Sequence, residues 1–261
     1  MPLYSAVAPL PTNQKTRRMF NPSKVANLVG WWDASDWDTL FDSTTGGNYV
    51  TTNGSAVKRL EDKSGNGRHF IEATSAPTLS IGEKNNRNSL NFATNKFLTA
   101  AISGITFTAQ TVFTVFKFND PRIGNGRVFT QQQTGFLDYS GTSHYIPLNL
   151  NGSVDGICSY ASDGNRSSVS ASIPNWYIAR ARHSGSSLTV KLNATVGTAF
   201  THTLNRVFNN FRLGATITNN LSVDASFLNS FISECIVYSR SLTDLESDQI
   251  TSYLNSKYAI Y

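Results

Sequence analysis

Cysteine is scarce, with two residues in 261, and acidic and basic side chains together make up only 15% of the chain. Two cysteines cannot frame a disulfide scaffold or a four-cysteine zinc site. Cys158 and Cys235 each stand in an apolar stretch that suits a buried thiol better than a bridge. The four histidines, His69, His144, His183 and His202, lack the paired spacing of metal ligands, so no structural zinc is expected. No apolar run approaches the roughly 18 residues that cross a bilayer, which excludes membrane insertion by a helix. The opening Met1-Pro-Leu-Tyr-Ser-Ala-Val-Ala-Pro-Leu-Pro11 has no basic start and is broken by prolines, so no secretion signal is expected. Catalytic motifs are also missing. There is no Gly-Xaa-Ser-Xaa-Gly, no Walker loop and no dinucleotide fingerprint, and Gly124-Asn-Gly126 is an ordinary turn.

What the chain does have is aromatic and β-forming. Hydrophobic residues make up 39% and aromatics 11%, sixteen of them Phe, which is enough apolar surface for one large folded unit. The polar remainder is rich in Ser, Thr and Asn, residues of turns and half-buried sheets. The net charge of +5 is unevenly spread: Lys15, Arg17, Arg18 and Lys24 lie in the first 24 residues with no acid, leaving 18 basic and 17 acidic groups, or +1, in the rest. A body so nearly neutral does not fit nucleic acid, which is held by clustered cations.

Residues 1–24 also hold Pro2, Pro9, Pro11 and Pro22, half of the eight prolines. They form an extended arm, with Leu3, Tyr4, Met19 and Phe20 as apolar anchors beside the cations Lys15, Arg17 and Arg18. From residue 25 the pattern becomes short β runs between Gly, Asn, Ser and Asp. Strands are expected at 28–33, 89–92, 112–118, 127–129, 176–182 and 231–238. Another at 188–192 places Leu188, Val190 and Leu192 on one face. Trp31, Trp32 and Trp176 fall in such runs and read as core. The close differs: Thr243-Asp-Leu-Glu246 is a capping-box signal, and Leu242, Leu245, Ile250, Tyr253 and Leu254 predict one amphipathic helix packed on the sandwich.

The order of several short motifs resembles concanavalin A-like lectin/glucanase domains of the laminin G-like type. They are Leu28-Val-Gly-Trp31-Trp32-Asp33-Ala-Ser-Asp36, Asp62-Lys-Ser-Gly-Asn-Gly67, Leu90-Asn-Phe92, Phe113-Thr-Val-Phe116, Lys191-Leu-Asn193 and Leu213-Gly214-Ala215. The terminal Phe231 to Tyr238 strand follows, with its Arg240-Ser-Leu242 turn and Tyr253-Leu-Asn-Ser-Lys257-Tyr258 ending. The resemblance spans residues 25–261 and implies an all-β, two-sheet antiparallel jelly-roll sandwich with an extended N-terminal arm and a short C-terminal helix. One departure is Asn193-Ala194, where such domains often have Asn-Gly in the hairpin. Domains of this kind occur in bacteriophage virion proteins as capsid decorations, head fibres and tail-associated receptor-binding parts. The expectation is therefore a virion surface protein and homo-oligomer, its arm gripping the major capsid protein or another virion protein.

Glucanases on this fold carry a Glu-Xaa-Asp-Xaa-Glu strand that sets carboxylates on one face. The chain has no such triplet. Its clusters Asp33/Asp36/Asp38 and Asp244/Glu246/Asp248 lie in an expected loop and a helix start, where solvation and the helix dipole account for them. No enzyme and no catalytic residue is expected. Surface polysaccharide is the alternative partner, with Trp37, Phe136, Tyr139, His144 and Tyr145 as candidate stacking residues. Calcium, often held at the rim of related sandwiches, has Asp62 and Asn66 as candidates. Asp and Asn beside Gly more often serve their own turn.

Overall fold

The structure is a computed structural model describing residues 20–93, 95–103, 105–119, 126–132, 144–150, 153–158, 166–172, 174–215, 217–218, 222–223 and 229–261. Two antiparallel sheets stack over a shared core, as an all-β sandwich requires. Along the first sheet run Thr195–Val196, Ser187–Leu192, Trp176–His183, Gln110–Phe118, Ser230–Tyr238, Arg87–Phe92 and Thr78–Lys84, with Leu28–Asp33 also paired to Ser230–Tyr238. The second runs Arg166–Ser170, Ser153–Cys158, His144–Leu150, Gly126–Gln132, Asn210–Leu213, Leu98–Ala101, Phe70–Ile71, Arg59–Leu60 and Leu40–Phe41. Among the described residues there is one α-helix, Asp244–Tyr258, and no helix long and apolar enough to cross a membrane.

The central strands explain their own sequences. Ser187–Leu192 alternates half-buried and buried residues, as its period of two predicts, with Leu188, Val190 and Leu192 inward. Gln110–Phe118 and Ser230–Tyr238 are buried almost throughout, because one face meets the second sheet and the other is covered near the helix. The adjacent Trp31 and Trp32 therefore serve different layers. Trp32 packs in the inter-sheet core with Phe70 and Phe211, while Trp31 lies under the helix with Tyr253, Ile236 and Leu254.

The helix begins as the capping box predicts, Thr243 Oγ1 accepting from the Glu246 amide while Glu246 accepts from the Thr243 amide. Arg240 adds two hydrogen bonds to the same carboxylate and is the leading cause that holds it down to about 2. One expected core position is corrected. Leu245 is 70% exposed, because the buried stripe runs through Ser247, Ile250, Leu254 and Tyr258, and position 245 lies on the opposite side of the turn. A second correction concerns Trp176, which is only half-buried and lies outside the inter-sheet core.

Chemistry elsewhere is local. Cys235 is a free, buried thiol. Asn193 takes φ 51 and supplies the left-handed residue that glycine would otherwise provide, while its Oδ1 accepts from Ile178 N. Of the arm expected over 1–24, residues 1–19 lie outside the described residues and 20–24 are docked: Phe20 packs on Tyr253, and the Pro22 carbonyl accepts from the buried Tyr238 hydroxyl at 2.9 Å.

Candidate functional site

Two neighbouring strands bring carboxylates face to face. In the pairing of Leu28–Asp33 with Ser230–Tyr238, Asp33 stands opposite Glu234. Simple alternation would not aim both at the helix. Register shifts between Leu28 and Gly30, and between Ile232 and Glu234, each add one residue, and such a bulge re-aims the side chains beyond it. Trp31, Asp33 and Glu234 consequently point to the helix side, while Trp32 and Cys235 line the inter-sheet core.

Facing like charges destabilise a sheet unless something answers them. Lys257 answers here, donating to Asp33 Oδ2 at 2.6 Å and Glu234 Oε2 at 2.7 Å. Trp31 Nε1 and the Tyr253 hydroxyl donate to Glu234 Oε1 at 2.7 and 3.0 Å, and the Tyr258 hydroxyl donates to Oε2 at 2.9 Å. All three charged groups are buried. Burial works to raise the Asp33 carboxyl, but the ammonium groups of Lys257 and Lys63 outweigh it and hold it below its usual range. Glu234 is pushed up by burial and by Asp33, against the pull of Lys257. This overturns the expectation that solvation accounts for Asp33: it ends a strand and is 2% exposed.

Above the cluster opens a cleft of about 430 Å³ with Asp33, Tyr253 and Lys257 in its floor. Its rim carries Asp36, Trp37, Asp38, Lys63 and Arg87. Asp36 caps the 3-10 turn Trp37–Thr39 by accepting from Asp38 N at 3.3 Å, which holds Trp37 at the rim with 38% of its surface exposed. Lys63 pairs with Asp36 and with Asp33, its ammonium 4.6 Å from the Trp31 ring centre. An exposed indole face beside carboxylate acceptors and a guanidinium is the equipment for gripping a sugar ring by its C–H face and its hydroxyls. The one carboxylate in the floor, Asp33, already accepts from Lys257, Lys63 and Ser35.

The remaining candidates fall elsewhere. Phe136 and Tyr139 lie outside the described residues, as do Leu3, Tyr4, Lys15, Arg17, Arg18 and Met19. For His144 and Tyr145 only the strand backbone is described. Six strand spacings, about 29 Å, separate that strand from Leu40–Phe41 beside Trp37, so these residues do not form one site with Trp37. Asp62 serves its own turn and the neighbouring strand: Oδ1 accepts from Trp31 N and Ser64 N, and Oδ2 from Ser64 Oγ and Arg68 N. Asn66 donates to the Leu28 and Val29 carbonyls. Sequence reasoning missed Lys63, Arg87, Glu234 and Lys257. Only the Tyr253-to-Tyr258 ending carried a signal, and it gave no hint of the lysine's partners.

No protein-family model matches the chain, nor does any curated protein. Solved structures do share the fold. The ligand-binding domain of botulinum neurotoxin serotype D, in complex with N-acetylneuraminic acid, superposes at a TM-score of 0.54 with 8% identity over 87% of this chain and 50% of that one. The receptor-binding domain of the same serotype gives 0.57, 8%, 90% and 54%. Trypanosoma rangeli sialidase gives 0.56 with 11% identity over 89% of this chain and 33% of that one. The chain thus spans a third to about half of these proteins, and identity so low speaks for the sandwich alone.

Proposed function

We propose that this protein is a non-catalytic adhesion module of a virion surface, binding a surface glycan through the Trp37 cleft and held to a capsid or other virion protein by its N-terminal arm. The observation that carries the glycan reading is the exposed Trp37 ring set among Asp36, Asp38 and Arg87. Neighbours of the same fold that include a toxin domain in complex with N-acetylneuraminic acid and a sialidase lean the same way. The non-catalytic reading rests on the floor and the buried carboxylate beneath it. Glu234 is 1% exposed and Asp33 is tied to two lysines, so neither can meet a glycosidic oxygen and a water as paired carboxylates must. For attachment, the support is the docked root of the arm, where Phe20 and Pro22 fix the point from which the basic segment departs.

A glycan array tests the first claim. Binding to at least one surface polysaccharide is expected from the full chain, with loss in Trp37→Ala at an unchanged melting temperature. An array without a hit, or a variant that keeps every hit undiminished, refutes it. Removing residues 1–19 should leave the sandwich folded and abolish attachment to particles; retained attachment defeats the anchoring role.

A further inference from the structure

On the outer face of the first sheet, past the end of the helix, a row of side chains crosses three strands. Lys117 pairs in register with Trp176 on one side and Phe231 on the other. The two rings lie 6.3 Å apart, and the Lys117 ammonium sits 5.3 Å from the Phe231 ring centre. A second cleft of about 370 Å³ opens here, lined by Trp176 and Lys117 together with Lys84, Ser172, Asn175 and Asn193. Its charge differs in kind from that of the Trp37 cleft, where Asp33, Asp36 and Asp38 offset Lys63, Arg87 and Lys257. The second cleft has two ammonium groups and no carboxylate in its lining, and among the described residues neither lysine has an acidic partner.

We propose that this is a second saccharide site, selective for acidic sugars such as the uronate or sulfated units of an anionic polysaccharide. It extends the glycan-binding reading to another face. Lys84 and Lys117 supply charge for a carboxylate or sulfate. The half-buried Trp176 ring offers a stacking surface, and Asn175 and Asn193 offer amides for hydroxyls. Asn193 spends its Oδ1 on Ile178 N, which leaves its NH2 to donate. The geometry also couples the two clefts. The hairpin Lys84-Asn85-Asn86-Arg87 turns on two left-handed asparagines, φ 50 and 56, and Asn85 Nδ2 clamps it to the Lys257 carbonyl at 2.9 Å. From that tip Lys84 enters one cleft and Arg87 the other.

Calorimetric titration of the full chain tests this with three acidic probes: an oligogalacturonate hexamer, a sulfated hexasaccharide and a sialyl trisaccharide. Neutral galactose oligomers and a single-stranded oligonucleotide serve as controls. At least one acidic probe should bind, with affinity falling on the order of tenfold or more at high salt and a comparable loss in Lys84→Gln/Lys117→Gln. Trp37→Ala should retain that binding, which separates this site from the first. Both lysines lack ion pairs, so the double variant should keep its melting temperature; Trp176→Phe checks the ring independently. If no acidic probe binds, or the lysine variant binds as well as wild type, the proposal is wrong. It is equally wrong if the oligonucleotide competes on equal terms. Loss of acidic-probe binding in Trp37→Ala alone would overturn it while leaving the first cleft standing.

Discussion

Replacing Lys257 by methionine keeps most of the length of the side chain and removes the charge that lies between Asp33 and Glu234. Both carboxylates stay buried beneath the helix. Glu234 keeps its bonds from Trp31, Tyr253 and Tyr258, and Asp33 keeps Lys63 at 3.2 Å. Breaking a buried ion pair from one side costs about 3–5 kcal/mol. The surviving hydrogen bonds favour the lower part of that range. For a chain of this size, each kcal/mol moves the midpoint by about 2–4 °C, so thermal unfolding followed by circular dichroism should report a drop of roughly 6–12 °C.

The pH dependence separates this cause from simple loss of packing. In the wild type the two acids act in opposite directions. Asp33, held below its usual range, contributes stability that is lost as pH falls through that lowered value. Glu234, raised above its usual range, leaves the folded state more protonated than the unfolded chain, so its contribution declines as pH rises. Without Lys257 both acids hold their protons to higher pH. The folded variant then binds extra protons through that interval, and its deficit against wild type should narrow as pH is lowered from about 7.5 toward 5. An unchanged melting temperature, or a deficit constant across that range, would refute the buried-charge argument.

Gly30→Ala should be strongly destabilising although its backbone is unstrained, because an added Cβ would overlap the Trp32 ring. A loss of about 1–3 kcal/mol or more is expected in the denaturant midpoint, and a neutral result would mean that Trp32 is not held over Gly30. Thr243→Ala removes the acceptor for the Glu246 amide and should cost about 1 kcal/mol, measured the same way. His183, buried against His202 at 3.3 Å, accepts from Gly185 N through Nδ1, so it is the Nε2–H tautomer that faces His202. Burial, with some repulsion from His202, lowers it to about 4. Imidazole NMR titration should place its midpoint there, and stability should decline as pH falls from the ordinary histidine range toward that value; a midpoint near 6.5 would remove the argument.

The elements that could be recognised in advance were those whose neighbours in sequence are also neighbours in space. The alternation of Leu188, Val190 and Leu192 and the Thr243–Glu246 capping box each fit within a few residues, and both formed as expected. Edge strands such as Thr78–Lys84, with Gly82 at φ 73 and a polar end, carry too little apolar pattern to stand out. The charged floor was hidden for a sharper reason. A period-two reading assigns faces by counting, and the bulges at Val29 and Ser233 break the count on both strands.

The same bulges bind fold to site. Counted without them, Trp31 and Asp33 would turn into the inter-sheet core together with Glu234, two carboxylates among apolar side chains with no lysine in reach. Such a core is untenable, since an unpaired buried charge costs several kcal/mol. The extra residue on each strand is thus what allows the Trp-Trp-Asp segment to serve two layers at once: Trp32 seals the sandwich, while Asp33 anchors Lys257 and with it the helix end that divides the two clefts. The second cleft was beyond sequence reasoning for a related cause. Lys84, Lys117, Trp176 and Asn193 are spread over more than a hundred positions; the pairing of Lys117 with Trp176 and the clamp of Asn85 on Lys257 bring them to one place. Trp176 shows why composition misleads there. Its strand-like setting marks it for the core, yet the first sheet is covered by the helix only as far as Tyr258, and beyond that end its ring is left half-open to a ligand.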